Sequence, residues 1–593
     1  MSSSSNKVTK FWLELKRRKV LRSLAIYAGS AFIILEAATI VFPRWGLPDW
    51  TIDLVLYLLI LGAFINIIVA WIFDITPEGV QKTKPFTEVP ETDKTTDSNA
   101  WRVATYLSLG VIVALIVFNV APFKKVRAGS IDSLVILPFH NLTGDDQFEN
   151  MVSSMHSLLI GDIGRLGGLR VISKTSSNVY HNVNMSVPEI ASELGVSAAV
   201  ELEVMCMGDS ICFQAKLISP FPEEKLLWIG DFKEEKGQIL NLYNRITKQI
   251  AEEVRIELSP EEEWRLAKSR TVDPEAFDAY LKGQFNWERL GKEDLDSALH
   301  YFRIAIEKDP DWADPYSGMA MTWQVLASFG HTPMAESYEK AYEYLTKAFE
   351  LDPNSVNSHY VKAMMSVWPG WDWEMGEKEF LITLELNPND ALCRVYYAHL
   401  LMILHRFDEA EYHANLALAL DPMRPLVLGL YGTVMNLTGD YQSALVQAEK
   451  ALSIDPKSNF SNGALANAYL AKGDTLKWHD IKKSRWRWSD DEYLIYIDSV
   501  FQEHGYIGVI EERIKVNEEV YSSGGSIHLL GMARRYLVVK DYDKAMDYYE
   551  KAYEERFGHL GYISLDVIKH PELKDNPRYI ALLKKMNLPL PED

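Results

Sequence analysis

Glu36 lies in the middle of the apolar run Leu21–Phe42, and Asn66 lies within a second run, Ile52–Phe73. A carboxylic acid at lipid depth is either a proton site or, kept neutral, a hydrogen-bond donor. No second acid sits at the same depth, so the expected role is structural. Protonated Glu36 would bond Asn66 or a backbone carbonyl and stitch two helices together. His399, His405 and His413 fall on different helical faces or different helices, a poor arrangement for a metal. Glu261, Glu262 and Glu263 belong to a helix surface with no sign of burial. No GxSxG, HExxH, P-loop or strand-flanked GxGxxG occurs, and Gly524-Gly-Ser-Ile-His528 lacks the second flanking glycine. No catalytic residue, metal or cofactor is expected, and the chain is read as a non-enzyme. Trp368, Trp371, Trp373, Trp486 and Trp488 could be sugar platforms or protein hot spots; aromatic residues at such spacing are more often core, and the core reading is preferred.

The elements that must position these residues follow from composition. At 593 residues the chain exceeds a single core. A net charge of −21 disfavours nucleic acid, whose phosphates are held by Lys and Arg. Three apolar runs, 21–42, 52–73 and 103–123, each reach the roughly twenty residues that a membrane-crossing helix needs. Lys7, Lys10, Lys16, Arg17, Arg18, Lys19 and Arg22 precede the first run, and Lys82, Lys84, Lys94 and Arg102 lie between the second and third. Only Arg44, Lys124, Lys125 and Arg127 stand on the opposite side. The positive-inside rule then predicts a cytoplasmic N-terminus, a multi-pass anchor over residues 1–123 in an inner membrane, and residues 124–593 in the periplasm.

Residues 130–257 read as a small α/β domain. Ser133–Pro138 and Leu169–Ser173 are short strand runs, and helices are expected over about 150–166 and 187–194. Val200, Leu202, Val204 and Cys206 alternate with polar positions, as do Ile211, Phe213, Ala215 and Leu217 beyond Gly208-Asp209. In that register Cys206 opposes Ile211 and Cys212 points to the other face. A Cys206–Cys212 disulfide would require a one-residue bulge, and free thiols are expected. A third strand at Leu227-Trp228-Ile229 and a helix from Ile239 to Leu258 complete the unit. The set Leu137-Pro-Phe139, Asn141-Leu-Thr-Gly-Asp145, Gly168-Leu-Arg-Val-Ile172, Glu193-Leu-Gly-Val196 and Leu227-Trp228 resembles the TolB amino-terminal-like domain. The resemblance implies an extracytoplasmic module of the kind found in bacterial membrane adenylate cyclases and CadC-type regulators. Phe148-Glu-Asn-Met-Val152 replaces the acidic stretch usual in that family, which argues against a ligand role for the preceding loop.

The rest, residues 273–593, is periodic. Asp-Pro or Asn-Pro recurs at Pro310, Pro353, Pro388, Pro422 and Pro456, spaced 43, 35, 34 and 34 residues apart. Ala298, Ala341, Ala410 and Ala444 lie twelve residues before these prolines; Ala305, Ala348, Ala417 and Ala451 lie five before. The pattern is similar to tetratricopeptide (TPR) repeats, in which small residues let paired helices approach, Phe302, Leu345 and Phe380 fill the gap, and proline ends the second helix. About seven repeats are expected, with 475–519 degenerate and a capping helix from Asn576 to Leu588. The fold class is therefore mainly α: three transmembrane helices, a small α/β domain and a C-terminal α-solenoid.

A TPR solenoid implies a concave groove lined by first helices. The candidate groove residues are His399, Met402, Thr433, Asn436, Asn467 and Arg534. Expected partners are envelope or periplasmic proteins or peptides, with glycan contact a weaker reading. The functional expectation is a membrane-tethered scaffold for protein–protein interaction. The alternatives are a non-catalytic sensory subunit, or an accessory protein of polysaccharide degradation and uptake. The cytoplasmic side offers only about twenty N-terminal residues and the loop 74–102, too little to bury a core, so any signal would pass to a separate protein.

Overall fold

The computed structural model describes residues 131–591 apart from 182, 268–269, 329 and 486–490, and short pieces between residues 20 and 82. Met1–Ala128 and Gly129–Asp593 form two compact units. In the first, residues 27–32 and 55–57 are among the helical pieces. The Tyr27 hydroxyl donates to the Leu59 carbonyl at 2.8 Å, while Phe32, Ile34, Tyr57 and Ile60 turn apolar surface outward. Strands β1 (Phe73–Thr76) and β2 (Gly79–Lys82) pair as an antiparallel hairpin. Among the described residues no helix is long and apolar enough to cross a membrane. Glu36, Asn66 and the whole of 103–123 lie outside the described residues, as does much of the other two runs.

The second unit begins with a mixed sheet. Strands β3 (Ser133–Ile136), β4 (His140–Asn141), β5 (Arg170–Val171), β6 (Ala198–Met207), β7 (Ser210–Ser219) and β8 (Lys225–Glu235) are ordered β5-β3-β6-β7-β8, with β4 beside β6. β3 runs parallel to β5 and β6, whereas β6, β7 and β8 form an antiparallel meander. The alternation in β6 and β7 does what period two dictates: Val200, Leu202, Val204, Ile211, Phe213, Ala215 and Leu217 are all fully buried. They pack under helices α1 (Glu149–Gly164) and α4 (Ile239–Glu253), where Phe213 stacks against Tyr243. Two shorter helices, α2 (Lys174–Asn178) and α3 (Val187–Leu194), precede β6.

One expectation here is corrected. Cys206 and Cys212 are disulfide-bonded. A bulge between Val204 and Cys206 sends Met205 out to solvent, moves Met207 opposite Ile211, and sets Cys206 directly across from Cys212. The extra residue reverses which face Cys206 shares, so the two sulfurs meet.

After α5 (Pro260–Ala267) the chain becomes a stack of antiparallel helix pairs. The pairs are α6 (Pro274–Trp287) with α7 (Lys292–Lys308), α8 (Ala313–Ser328) with α9 (Met334–Leu351), and α10 (Val356–Val367) with α11 (Trp373–Leu386). They continue with α12 (Ala391–Ile403) and α13 (Phe407–Leu420), α14 (Pro425–Thr438) and α15 (Tyr441–Ile454), and α16 (Asn459–Ala471) and α17 (Thr475–Ser484). Helix α18 (Asp491–Ser522) is broken at Gly505, whose φ of 63° is non-helical. The last pair is α19 (Leu529–Val538) with α20 (Tyr542–Glu554). Small residues sit where the pairs pinch. A Cβ on Gly283 would fall 2.5 Å from the Phe302 ring and one on Gly318 2.8 Å from it, so both glycines are needed to admit that side chain. The Asp-Pro signals act through the backbone: Asp352 and Asp455 are extended, as a residue before proline must be, and each carboxylate accepts the amide two residues on. Ser355 and Ser458 then cap the next helix.

Within repeats the turns share another device. Gly330, Gly439 and Gly473 close the first helix in the left-handed conformation, and Leu290, Trp371, His405 and Lys540 do the same without being glycine. Lys540 is exposed, and among the described residues its side chain has no hydrogen-bond or ion-pair partner. Lys540→Gly should therefore stabilise the protein by about 1 kcal/mol, the order of the left-handed penalty it removes. Urea unfolding followed by circular dichroism would measure this; a lower midpoint would refute it.

Candidate functional site

The first helices of the repeats α12, α14, α16 and α19 carry all six predicted groove residues, but the groove is not an empty one. His399 is 2% exposed. Its Nε2 lies 3.1 Å from the Leu430 carbonyl and its Nδ1 2.8 Å from the Tyr562 hydroxyl. A carbonyl can only accept, so Nε2 carries the proton and Tyr562 donates to Nδ1. Burial holds this imidazole down at about 4, hence neutral. Arg534 donates from Nε to Asp566 Oδ1 at 2.8 Å and from Nη2 to the Tyr562 carbonyl at 3.1 Å. Burial opposes its charge, but Asp566 and neighbouring tyrosines hold the guanidinium above its ordinary value. The structure thus brings His399 and Arg534 together through one tyrosine.

The other four are placed differently. Met402 is fully buried in the principal core. Thr433 donates back to the Gly429 carbonyl within its own helix. Asn436 donates to the Ala464 carbonyl of the next repeat while its side-chain oxygen is buried without a partner. Asn467 alone among the six is exposed.

What fills the groove is the chain's own C-terminal segment, a 3-10 stretch from Gly558 to Leu565 followed by α21 (Asp566–Lys569) and α22 (Pro577–Lys585). Ser564 Oγ donates to the Ile403 carbonyl at 2.8 Å, and the Ser564 carbonyl lies 2.9 Å from His405 Nε2. The Trp373 indole N–H donates to the Met586 carbonyl at 2.7 Å. Gly561 passes so close to Trp373 that a Cβ there would sit 2.7 Å from its ring. Trp368, Trp371 and Trp373 are all buried in this core, with Trp371 stacked on Tyr553. They are packing, not sugar platforms; Trp486 and Trp488 lie outside the described residues. Tyr562, Ser564 and Asp566 were missed in the sequence because a single-copy segment without helical period carries no repeat signal. The two glycines flanking His559-Leu560 were the available hint.

The α/β domain occupies a second stretch of the repeats' surface. Asn389, on the turn between α11 and α12, donates to the Gly164 and Leu169 carbonyls at 2.9 Å each, and its oxygen accepts the Val171 amide at 2.9 Å. Arg170 donates to the Ala419 carbonyl, and Ser176 to Asp421 at 2.6 Å. Lys174 and Glu288 pair at 2.6 Å. Burial pushes the Asp421 carboxyl up, with Arg424 opposing. One continuous core runs from the sheet into the first repeats, so the two regions behave as one body.

No family model matches the chain. A protein described as "Putative adenylate cyclase 3" from Rhizobium meliloti (strain 1021) is 26% identical over 258 residues, which cover 42% of this chain and 43% of the relative. The chain thus spans less than half the length of that curated relative. Among solved structures, the TPR protein TTC0263 of Thermus thermophilus shares 19% identity at a TM-score of 0.27, covering 33% of this chain and 99% of that one. A Pseudomonas aeruginosa protein titled pilF shares 19% at 0.25 over 44% of this chain and 98% of its own. A TPR protein of Parabacteroides merdae shares 14% at 0.27 over 50% and 99%. From α6 onward the chain is a stack of TPR-like antiparallel helix pairs, and the chain has distant similarity over 42% of its length to the Rhizobium protein.

Proposed function

We propose that this chain is a membrane-tethered, non-catalytic scaffold that binds proteins on the periplasmic side of an inner membrane through its repeat array. The observation that carries the reading is the stack of helix pairs whose later members keep large apolar side chains in solvent. Val446, Phe460, Leu476, Ile495 and Ile507, on helices α15 to α18, are each at least 41% exposed. Apolar surface on neighbouring repeats is what a protein partner would bury. The Cys206–Cys212 disulfide supports an oxidising compartment, and the outward apolar side chains near residues 32 and 57 support a lipid-facing stem.

Crosslinking of the full chain in native membranes, read by mass spectrometry, tests the proposal. Crosslinks from envelope proteins should concentrate on residues 441–522, and Phe460→Glu with Leu476→Glu should reduce them severalfold. Crosslinks that ignore this pair of substitutions, or a C-terminal reporter active in the cytosol, would sink the corresponding half of the reading.

A further inference from the structure

Many cations of the repeat array are paired with acids: Lys308 with Glu275, Arg406 with Glu377 and Glu409, and Arg578 with Asp547 and Glu550. A different group gathers where α17, α19 and α21 converge. Lys482 stands in the last turn of α17 and Arg485 caps that helix, Arg535 stands on α19, and Lys569 ends α21. Ile481, beside Lys482, packs on the core that Leu530, Ala533 and Leu537 of α19 help to build. The bond from Arg534 to Asp566 ties α19 to α21 in turn. The charges are close enough to act on one another. Burial first, then Arg485, Arg535 and Lys569, lower the Lys482 ammonium to about 8. Burial and Arg513 lower Arg535 to about 10.

Among the described residues none of the four is paired with an acid. The side chains of Lys482, Arg535 and Lys569 have no hydrogen-bond or ion-pair partner there, and Arg485 meets only the neutral oxygens of Asn459, the side-chain one at 2.6 Å. Asp566 of α21 is already shared by Arg534 and the Tyr549 hydroxyl. On α18, Asp498 is held by His479 and Lys483, and Glu518 by Tyr536 and Lys544. In a chain of net charge −21 this local excess runs against the composition, and its self-repulsion calls for a counter-charge from outside. The group is also reachable. Arg485 and Lys569 are exposed, and Lys482 and Arg535 are half-buried. Gly531, one turn before Arg535, has no side chain to cover the guanidinium; a Cβ there would fall 3.4 Å from Nη1. Ile568, beside Lys569, adds exposed apolar surface.

We propose that this face binds an acidic peptide segment of a partner protein. This deepens the reading of the repeats as a protein-binding array, on which it rests, by naming the partner's chemistry. Aspartate and glutamate side chains supply the counter-charge that the fold withholds, and each arginine offers paired donors to a carboxylate. The cations are spread over three elements on an open face, which suits an extended segment; a small anion would want an enclosed pocket. Ile568 receives an apolar residue flanking the acids. Because Lys569 and Ile568 come from the aperiodic C-terminal segment, no repeat makes this surface by itself.

Fluorescence anisotropy of fluorescein-labelled hexaglutamate with the full chain, purified in non-ionic detergent, is the test. Binding should appear with a Kd of about 100 μM or tighter at about 20 mM NaCl and weaken at least about tenfold by about 300 mM, as screening shortens the reach of the charges. Lys482→Gln, Arg535→Gln and Lys569→Gln should each weaken it about threefold or more. Lys347→Gln, the same charge lost from an exposed position on α9, should change nothing. Lys482→Gln should also leave the urea midpoint unchanged or raised, because it removes repulsion; a lysine with a merely structural role would lower it. No binding up to about 1 mM at low salt, undiminished binding by the three variants, or displacement of the peptide by tripolyphosphate or phosphatidylglycerol vesicles at lower charge concentration would each overturn the proposal. If hexaglutamate fails while Phe460→Glu with Leu476→Glu still reduces crosslinks, this face loses its assignment and the array keeps its role; hexaglutamate binding beside unaffected crosslinks would do the reverse.

Discussion

Asn389→Ala is expected to loosen the α/β domain from the repeats and to cost about 2–4 kcal/mol. The amide of Asn389 satisfies the Gly164 carbonyl at the end of α1, the Leu169 carbonyl just before β5 and the amide of Val171 in β5, and the substitution orphans all three. Each lost hydrogen bond at a half-buried site is worth roughly 1 kcal/mol. The loss falls on a single turn that ties the sheet to the junction between α11 and α12, so its effect should be regional. Hydrogen exchange should rise in residues 164–176 and near Ala419 and Asp421, where Arg170 and Ser176 dock, while α19 and α20 remain as protected as before. Asn389→Asp keeps the acceptor for Val171 but sets a carboxylate oxygen against the two carbonyl oxygens, so it should cost at least as much as alanine. A wild-type urea midpoint and exchange pattern for Asn389→Ala would mean that the apolar core shared by the sheet and α6 holds the domains together unaided.

How much of this could be read from the sequence depends on how often the sequence states it. The helix pairs were legible because the Asp-Pro or Asn-Pro signal repeats five times and the alanines recur at fixed distances from it. Each copy reports the same local physics: an extended residue before proline, and a small side chain where two helices touch. Strands β6 and β7 were legible for the same reason at period two. What failed were features that occur once. A single inserted residue at Met205 turned Cys206 toward Cys212, and periodicity has no memory of such an insertion. The six groove residues lie on first helices of the pairs, and two of them, His399 and Arg534, meet the chain's own C-terminal segment. Nothing local to His399 or Arg534 says that a segment some 160 or 30 residues downstream will lie against them. Likewise Asn389 reads as an ordinary turn residue after Pro388, and only the fold shows it bonding across 225 residues to Gly164. Local signals set the elements; side chains on turns and on one aperiodic segment set how they close.

That closure rests on Asp566, and its loss should have the second large effect. Its two oxygens accept from Arg534 Nε at 2.8 Å and from the Tyr549 hydroxyl at 2.7 Å, and the residue is 7% exposed. Asp566→Ala would leave a guanidinium and a buried phenol facing a void. Breaking a fully buried pair costs about 3–5 kcal/mol, but the Arg534 side chain retains 42% of its exposure, so solvent screening brings the expectation down to about 2–3 kcal/mol. The consequence is positional. Tyr562 is held by the same arginine and holds His399, so the Gly558–Leu565 stretch should detach from α12 as a unit. Protease sensitivity should appear between residues 557 and 570, and amide exchange should rise around His399–Ile403, where Ser564 and Tyr562 now bond. Replacing both partners, as in Arg534→Met with Asp566→Leu, removes the charge together with its counter-charge and should recover part of the lost stability without restoring the bond to the Tyr562 carbonyl. Recovery of stability with continued protease sensitivity would separate the charge pair from the anchoring of the segment. If Asp566→Ala instead leaves both exchange and cleavage at wild-type levels, the segment is held by Trp373 and the apolar contacts around Gly561, and the groove is closed by packing alone.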